Sequence, residues 1–493
     1  MKKILVANRG EIALRIMRSA KEMGIATVAV YSEADRTMPF VQYADEAVCI
    51  GLAPSSQSYL KMDTILQVAK ATGADAIHPG YGFLSENADF AKAVEDAGLI
   101  FIGPSAYSIE IMGSKIAAKQ AAKNFNVPMV PGTDHPLQSF EEAEAIAAKV
   151  GYPILIKASA GGGGKGMRIV NDASEIREQM RMAKSEALSA FGNDDVFIEK
   201  YVASPKHIEI QLMGDQHGNY VYLFERECSI QRRHQKLIEE APSSCLTPEV
   251  RAKMGEAAIN VAKACKYYGA GTVEFLADEH LNFYFLEMNT RLQVEHCVTE
   301  MITGVDLVKE QIRVARGEAL SFSQNDLSIN GHSIELRVCT EDPFNNFMPD
   351  TGRLDIYVCP KGPGVRVDDG YEQGMDIPIF YDPMIAKLVV WGKDRQEALD
   401  RMVRAIDEYK ISGIKTTLPF GRWAMQQEDF VKGQFDTAFI QKHFKPEYLN
   451  NSDVNEEEIA AITGSIIWEK KQEKKTALDQ KNEISKWKLQ RNH

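Results

Sequence analysis

The stretch EFLADEHLNFYFLEMNTRLQVEH, residues 274–296, carries its own test for extended structure. In a strand, alternate side chains share a face. Counting by two from Phe283 places Phe285, Glu287, Asn289, Arg291, Gln293 and Glu295 on one side, against Leu286, Met288, Thr290, Leu292 and Val294 on the other. One face suits a core; the other is a row of carboxylate, amide and guanidinium groups. A half-exposed strand alternates in the same way when its polar face meets only water, so this segment alone leaves both readings open.

The neighbouring sequence favours a site. AGTVEFLAD reads as a partner strand, and the short ADEHLN turn brings Glu274 beside Glu287. Two carboxylates and Asn289 make a hard-oxygen set suited to Mg²⁺, which takes few protein ligands together with substrate phosphates. The VEHC segment lacks zinc-motif spacing.

Upstream, PILIKASAGGGGKGMRIV (residues 153–170) holds four consecutive glycines between two strand-like runs. That setting is a hairpin, since linkers spread Gly and Ser over longer polar stretches. It is not a P-loop, because Met167 follows the last glycine and a strand, not a helix, comes next. Lys115, Lys157 and Lys236 supply positive charge, the last ending a predicted loop, IQRRHQK. Each alone reads as a surface lysine. Beside a glycine loop and paired carboxylates, they suggest nucleotide phosphates bridged by metal.

Further out, residues 3–31 read as strand, helix, strand, and the alternation continues to about residue 105, giving a small parallel α/β domain. Its first turn, ANRGEIA, lacks the glycines of a dinucleotide fingerprint and reads as structural. A capped helix is predicted from Ser139 and another from Thr247. The fold class is α/β, α+β in parts, with domains at 1–112, 113–330 (a lid over about 131–203) and 331–446. A charged tail, 447–493, carries one predicted helix with Ile459, Ile462, Ile466 and Ile467 on a face.

Composition excludes several classes. With 44% hydrophobic and 26% charged residues the chain is an ordinary globular protein. A net charge of −12 argues against a nucleic-acid partner. Seven scattered cysteines without a C-x-x-C pair read as reduced thiols. No window suits a membrane helix, and the apolar run near the start meets Asn8 and Arg9 too early for a signal peptide, so the expected location is cytoplasmic.

Together KASAGGGGKGM, EKYV, KHIEIQ, ERECSIQRRHQK, EAPS, GTVEFL and LEMNTRLQVEH resemble the successive motifs of biotin carboxylase, an ATP-grasp enzyme. ILVANRGEIALRI and AIHPGYGFLSEN resemble its N-terminal domain; GHSIELRVCTEDP, YDPMIAKLVVWG and GIKTTLPF resemble its C-terminal one. The resemblance implies carboxylation of biotin by ATP and bicarbonate through carboxyphosphate. It implies that Lys115, Lys157 and Met167 contact ATP under a lid containing Gly163 and Gly164. Glu199, Lys200, Tyr201, Val202 and His207 would bind adenine and ribose, and Gln231 and His234 would flank the nucleotide. Glu274, Glu287 and Asn289 would hold one or two Mg²⁺, or Mn²⁺. Lys236, Arg291, Gln293 and the Val294 backbone would cradle bicarbonate. Glu295 would be the base, and Arg337 would meet the biotin enolate.

The family resemblance further implies a homodimer working with a separate biotin carboxyl carrier protein and a carboxyltransferase subunit, because no AMKM motif is present in this chain. The expected parent is an acetyl-CoA or other acyl-CoA carboxylase, with the corresponding subunit of a pyruvate carboxylase as the alternative, and another ATP-grasp ligase behind both. Cys297 and Glu227 depart from the family's usual proline and aspartate.

Overall fold

A computed structural model describes residues 1–133, 135–159, 166–449 and 460–470. The N-terminal strands are β1 (Lys3–Val6), β2 (Ala26–Ser32), β3 (Glu46–Gly51), β4 (Ala76–His78) and β5 (Ile100–Phe101). They form a parallel sheet in the order β3-β2-β1-β4-β5, the arrangement that the βαβ rhythm predicts. Helix α1 (Gly10–Glu22) makes the first crossover and buries Ile12, Ile16 and Met17. Burying an aliphatic side chain of that size contributes about 1.5–3 kcal/mol.

A small antiparallel sheet follows, made of β6 (Ile154–Ala158), β7 (Met167–Val170) and β8 (Val196–Lys200). The glycine-flanking strands β6 and β7 pair as a hairpin, Lys157 opposite Met167. Ile154 and Ile156 turn to a core shared with Ala143 and Met180. Lys157 lies on the opposite face, as period-two alternation requires. The predicted cap at Ser139 is present: its hydroxyl accepts from the Glu142 amide at 3.1 Å.

The large sheet has eight strands. Added to β9 (Lys206–Gly214), β10 (Tyr220–Arg232), β11 (Gln235–Ala241), β12 (Gly269–Ala277) and β13 (Phe283–Asn289) are β14 (His332–Cys339), β15 (Val365–Asp369) and β16 (Met384–Gly392). Their order is β13-β12-β9-β10-β11-β14-β16-β15, every neighbouring pair antiparallel. The sheet therefore runs without a break across the sequence position 330/331.

Its two faces differ sharply in chemistry. Ile208, Ile210 and Leu212 of β9 pack on Met254, Ala258 and Val261, and Ile334, Leu336 and Leu388 pack on Leu399 and Met402. The alternate positions carry Glu209, Gln211, Arg226, Glu239, Glu335 and Lys387, all buried. Helix α2 (His296–Thr303) packs over β10, β11, β14 and β16 and covers much of this charged face.

Two local expectations are corrected. First, simple alternation along β13 fails at a bulge: Glu274 pairs with Glu287, but Phe275 pairs with Phe285. The slip puts Phe285 and Met288 together in the core and frees Glu287 and Asn289 for the other side. Strand β13 also ends at Asn289, so Arg291 to Glu295 are brought together by a turn. Second, IQRRHQK is not a loop. Strands β10 and β11 extend through it and meet at Arg233 and His234, both at positive φ (51° and 67°), the conformation a two-residue hairpin turn demands.

In the tail, residues 460–470 are helical, with Ile462, Ile466 and Ile467 exposed; Ile459 lies outside the described residues. The chain divides into two compact units, Met1–Phe444 and Lys445–His493.

Candidate active site

Lys236 sits at the centre of the charged face. Its Nζ donates to Glu209 Oε2 at 2.6 Å, Glu274 Oε1 at 2.9 Å and Glu295 Oε1 at 2.8 Å. Three different elements meet there: β9, β12 and the N-terminus of α2. The hairpin correction explains how, since strand alternation in β11 points Lys236 inward where a loop would leave it to solvent.

The expected metal-binding oxygens line up on neighbouring strands. Glu274 stands opposite Glu287 in register, and Asn289 Nδ2 donates to Glu274 Oε1 at 2.9 Å. His207 Nε2 lies 2.9 Å from Glu274 Oε2. Burial pushes Glu274 up, but Lys236 and His207 outweigh it and hold the carboxyl well below its ordinary value. Against its burial and against Lys236, Glu274 in turn raises His207. Glu287 is exposed, so the set opens toward solvent on one side. An ionised carboxylate, a second carboxylate and an amide oxygen fit Mg²⁺.

The anion cradle is equally concrete. Arg291 donates to Asn289 Oδ1 at 3.1 Å and Gln293 Oε1 at 2.9 Å, and is anchored by Glu86 at 2.8 Å. Gln293 Nε2 is buried without a hydrogen-bond partner among the described residues. A buried amide donor costs free energy until something accepts from it. Lys387 Nζ donates to the Val294 carbonyl at 2.9 Å, which fixes the peptide expected to contact the anion.

Glu295 is wholly buried between two cations. It accepts from Lys236, and from Arg337 Nη2 at 3.0 Å. Burial raises its proton affinity, but Lys236, Arg337 and Arg226 outweigh that and hold it well below the usual carboxylate range.

The nucleotide residues are placed unequally. Lys157 Nζ lies 2.5 Å from Glu199 Oε2, and Lys119 also contacts Glu199. Lys200 turns away from this face, donating to the Gly151 and Tyr152 carbonyls at 2.8 and 3.0 Å. Tyr201 and Val202 follow as a half-buried connection, and Met167 is half-buried opposite Lys157. Gln231 pairs with Lys236, and His234 is exposed at the hairpin tip. Gly163, Gly164 and the Lys115 side chain lie outside the described residues.

Sequence reasoning missed Glu86, Lys119, Lys387 and Arg226. Arg226 is the largest fully buried side chain among the described residues; it contacts Glu209 and donates to Gln211 Oε1 at 2.6 Å and to Thr272 and Thr299 at 3.0 Å. The period-two pattern of FERECS was the available signal. The two departures from the family pattern are accommodated. Cys297 donates to Asp368 at 3.2 Å, and Glu227 accepts from Ser243 at 2.8 Å.

A small antiparallel sheet bridged to a large one through Met129 and Gly132, with carboxylates for a metal and a cationic cradle on the large sheet's buried face, defines an ATP-dependent ligase of the ATP-grasp class. Comparison with known proteins agrees. Residues 1–109 match the biotin carboxylase N-terminal domain, 114–323 the ATP-binding domain of the carbamoyl-phosphate synthase L chain, and 335–442 the biotin carboxylase C-terminal domain. The chain belongs to the biotin carboxylase family.

It is 55% identical over 441 residues to a pyruvate carboxylase subunit of Methanothermobacter thermautotrophicus, covering 90% of each chain. It is 53% identical over 471 residues to the human mitochondrial propionyl-CoA carboxylase alpha chain, 94% of this chain but 64% of that longer one. The crystal structure of the biotin carboxylase domain dimer of Hydrogenobacter thermophilus 2-oxoglutarate carboxylase, in complex with MgADP, ADP and bicarbonate, matches at TM-score 0.85 and 50% identity, over 92% of this chain and 99% of that one. No helix among the described residues is long and apolar enough to cross a membrane.

Proposed function

We propose that this chain carboxylates biotin carried on a separate protein, using ATP and bicarbonate through carboxyphosphate. The observation that carries the reading is the orphaned Gln293 amide, set with Lys236 and Arg291 beside the Glu295 carboxylate. That is a small-anion cradle with a base at its edge.

Bicarbonate is a weak nucleophile and ATP's γ-phosphate is shielded by its own charge, so alignment and neutralisation must supply most of the acceleration. Lys115 and Lys157 would hold phosphates. Met167, Glu199, Lys200, Tyr201, Val202 and His207 would form the adenosine side, with Lys200 acting through its backbone because its ammonium is already engaged. Gln231 and His234 would flank the nucleotide. Glu274, Glu287 and Asn289 would hold Mg²⁺, which supplies charge neutralisation at the phosphates.

Glu295 would take the bicarbonate proton. As it stands, its depressed proton affinity makes it a poor base. A bound bicarbonate would draw Lys236 away from it, and losing that cation raises Glu295 toward the value a general base needs. Arg337 stays cationic and would stabilise the developing biotin enolate without losing its own proton.

The correspondence with a pyruvate carboxylase subunit over 90% of each chain supports a pyruvate carboxylase as the parent equally with the expected acyl-CoA carboxylase, whose propionyl-CoA form is 53% identical over 471 residues. The carrier, the carboxyltransferase and a homodimer of this chain are part of the same proposal. Bicarbonate-dependent ADP release stimulated by free biotin tests the activity, and reconstitution with pyruvate or acyl-CoA acceptors tests the parent. Glu295→Gln should lower biotin-dependent turnover by about 10²- to 10⁴-fold. No response of the wild type to biotin or to a purified carrier domain would refute the reading.

A further inference from the structure

Behind Arg337 lies a feature that the proposed reaction does not use. Glu239 on β11 and Glu335 on β14 stand directly opposite each other in antiparallel register, on the same buried face. Directly opposed residues bring their Cβ atoms to about 4.5–5.5 Å. Glu239 Oε1 accepts from Arg337 Nε at 2.6 Å. Glu239 Oε2 and both oxygens of Glu335 are buried with no hydrogen-bond partner among the described residues. Two facing carboxylates with three orphaned acceptors lack a donor, and a proton is the smallest donor available.

We propose that Glu239 and Glu335 hold one proton between them and act as the positioning pair of Arg337, leaving one full anion behind its guanidinium instead of two. The proposal rests on Arg337 meeting biotin. Arg337 already touches Glu295 on its other side. With Glu239, Glu335 and Glu295 all charged, Arg337 would face three anions, of which Lys236 contacts only Glu295, and its attraction for a substrate anion would fall.

The charged and titratable groups around the pair are Arg337 and Cys339 on β14, Lys387 on β16, Lys236 on β11, Cys228 on β10, and Glu295 and Cys297 at the start of α2. Lys387 does not supply the missing donor: its Nζ is committed to the Val294 carbonyl and to Glu11, 3.2 Å away. Burial pushes Glu239 up to about 7 even against Arg337, and pushes Glu335 well above its ordinary value even against Lys387. Like charges this close cannot both ionise freely.

Difference infrared spectra of full-length wild type and Glu335→Gln at pH 8 test the shared proton. A protonated-carboxyl carbonyl band should be present in the wild type and absent from the variant; identical spectra would overturn the proposal. The positioning role is read from two activities. Glu335→Ala should lower biotin-dependent carboxylation roughly tenfold or more, while bicarbonate-dependent ADP release without biotin stays within about threefold. Glu335→Gln, which still donates to Glu239, should restore most of the loss.

Equal losses in both activities for Glu335→Ala, or a Gln variant as poor as Ala, would also overturn it. Should Glu335→Ala not fold, as judged by its melting curve, the infrared pair and the Gln variant still decide. A wild type without biotin-stimulated turnover would defeat the functional reading, while the infrared comparison would still report on the proton.

Discussion

At the scale of single residues, the site is a set of charges that burial makes expensive and neighbours make tolerable. Arg226 shows this most simply: it has no exposure, and its guanidinium is answered by Glu209, Gln211, Thr272 and Thr299. Arg226→Met keeps much of the volume but leaves Glu209 with less compensation. The expected loss is about 3–5 kcal/mol by denaturant unfolding, the cost of breaking a buried pair from one side.

Glu300 gives a pH-dependent case. Burial works to raise it, but Arg15, His296 and Arg366 outweigh burial and hold it at about 2, against an ordinary value of 4.5. Between those values the unfolded chain binds the proton and the folded one does not, so stability rises with pH there. The contribution is therefore complete above about pH 4.5 and lost as pH falls toward 2, on the order of 3 kcal/mol at most. Glu300→Gln should flatten the stability curve across that window; an unchanged acid limb would contradict the assignment.

At the scale of elements, one short segment joins the two sheets. Met129 bridges to Phe285 of the large sheet, and Gly132 bridges to Glu199 of the small one. The Lys200 amide donates to the Pro131 carbonyl at 2.7 Å, and the Thr133 amide to the Ile198 carbonyl at 2.8 Å. A Cβ on Gly132 would stand 2.2 Å from the Ile198 carbonyl oxygen, a backbone atom with no freedom to swing aside. Gly132→Ala should displace β8 and with it Glu199, raising the Michaelis constant for ATP several-fold with a smaller effect on melting temperature. A variant with normal ATP kinetics would show that β8 does not set nucleotide affinity.

At this scale the strand periods, the caps at Ser139 and Thr247, and the glycine hairpin were legible in the sequence, because each depends on residues within a few positions. The bulge at Glu274 and Phe275 was not. Nothing in a strict alternation marks where an extra residue slips; what selects the slip is the fit of Phe285 and Met288 into a core that the helix Pro248–Ala264 helps to build.

At the scale of the molecule, Met1–Phe444 is one compact unit and the tail another. The tail helix exposes Ile462, Ile466, Ile467 and Trp468, and an exposed apolar set of this kind is the ground for predicting that the tail docks a partner chain. Removing residues 450–493 should leave the melting temperature and free-biotin turnover unchanged while weakening complex formation with the carrier or carboxyltransferase chain. Undiminished complex formation would sink the docking role.

By itself, the sequence determined what could be read locally: alternating strand faces, capped helices, a glycine hairpin, and the inventory of carboxylates, amides and cations from Glu274 to Glu295. Tertiary structure alone decided which charged strand faces are buried, that Lys236 points into the site from a hairpin strand, and that Arg226, Glu239, Glu335 and Lys387 stand behind the visible residues. The physical reason is distance along the chain. A polar strand face is cheap in water and costly under a helix, and only the packing of α2 across β10, β11, β14 and β16 turns that row of charges into a site.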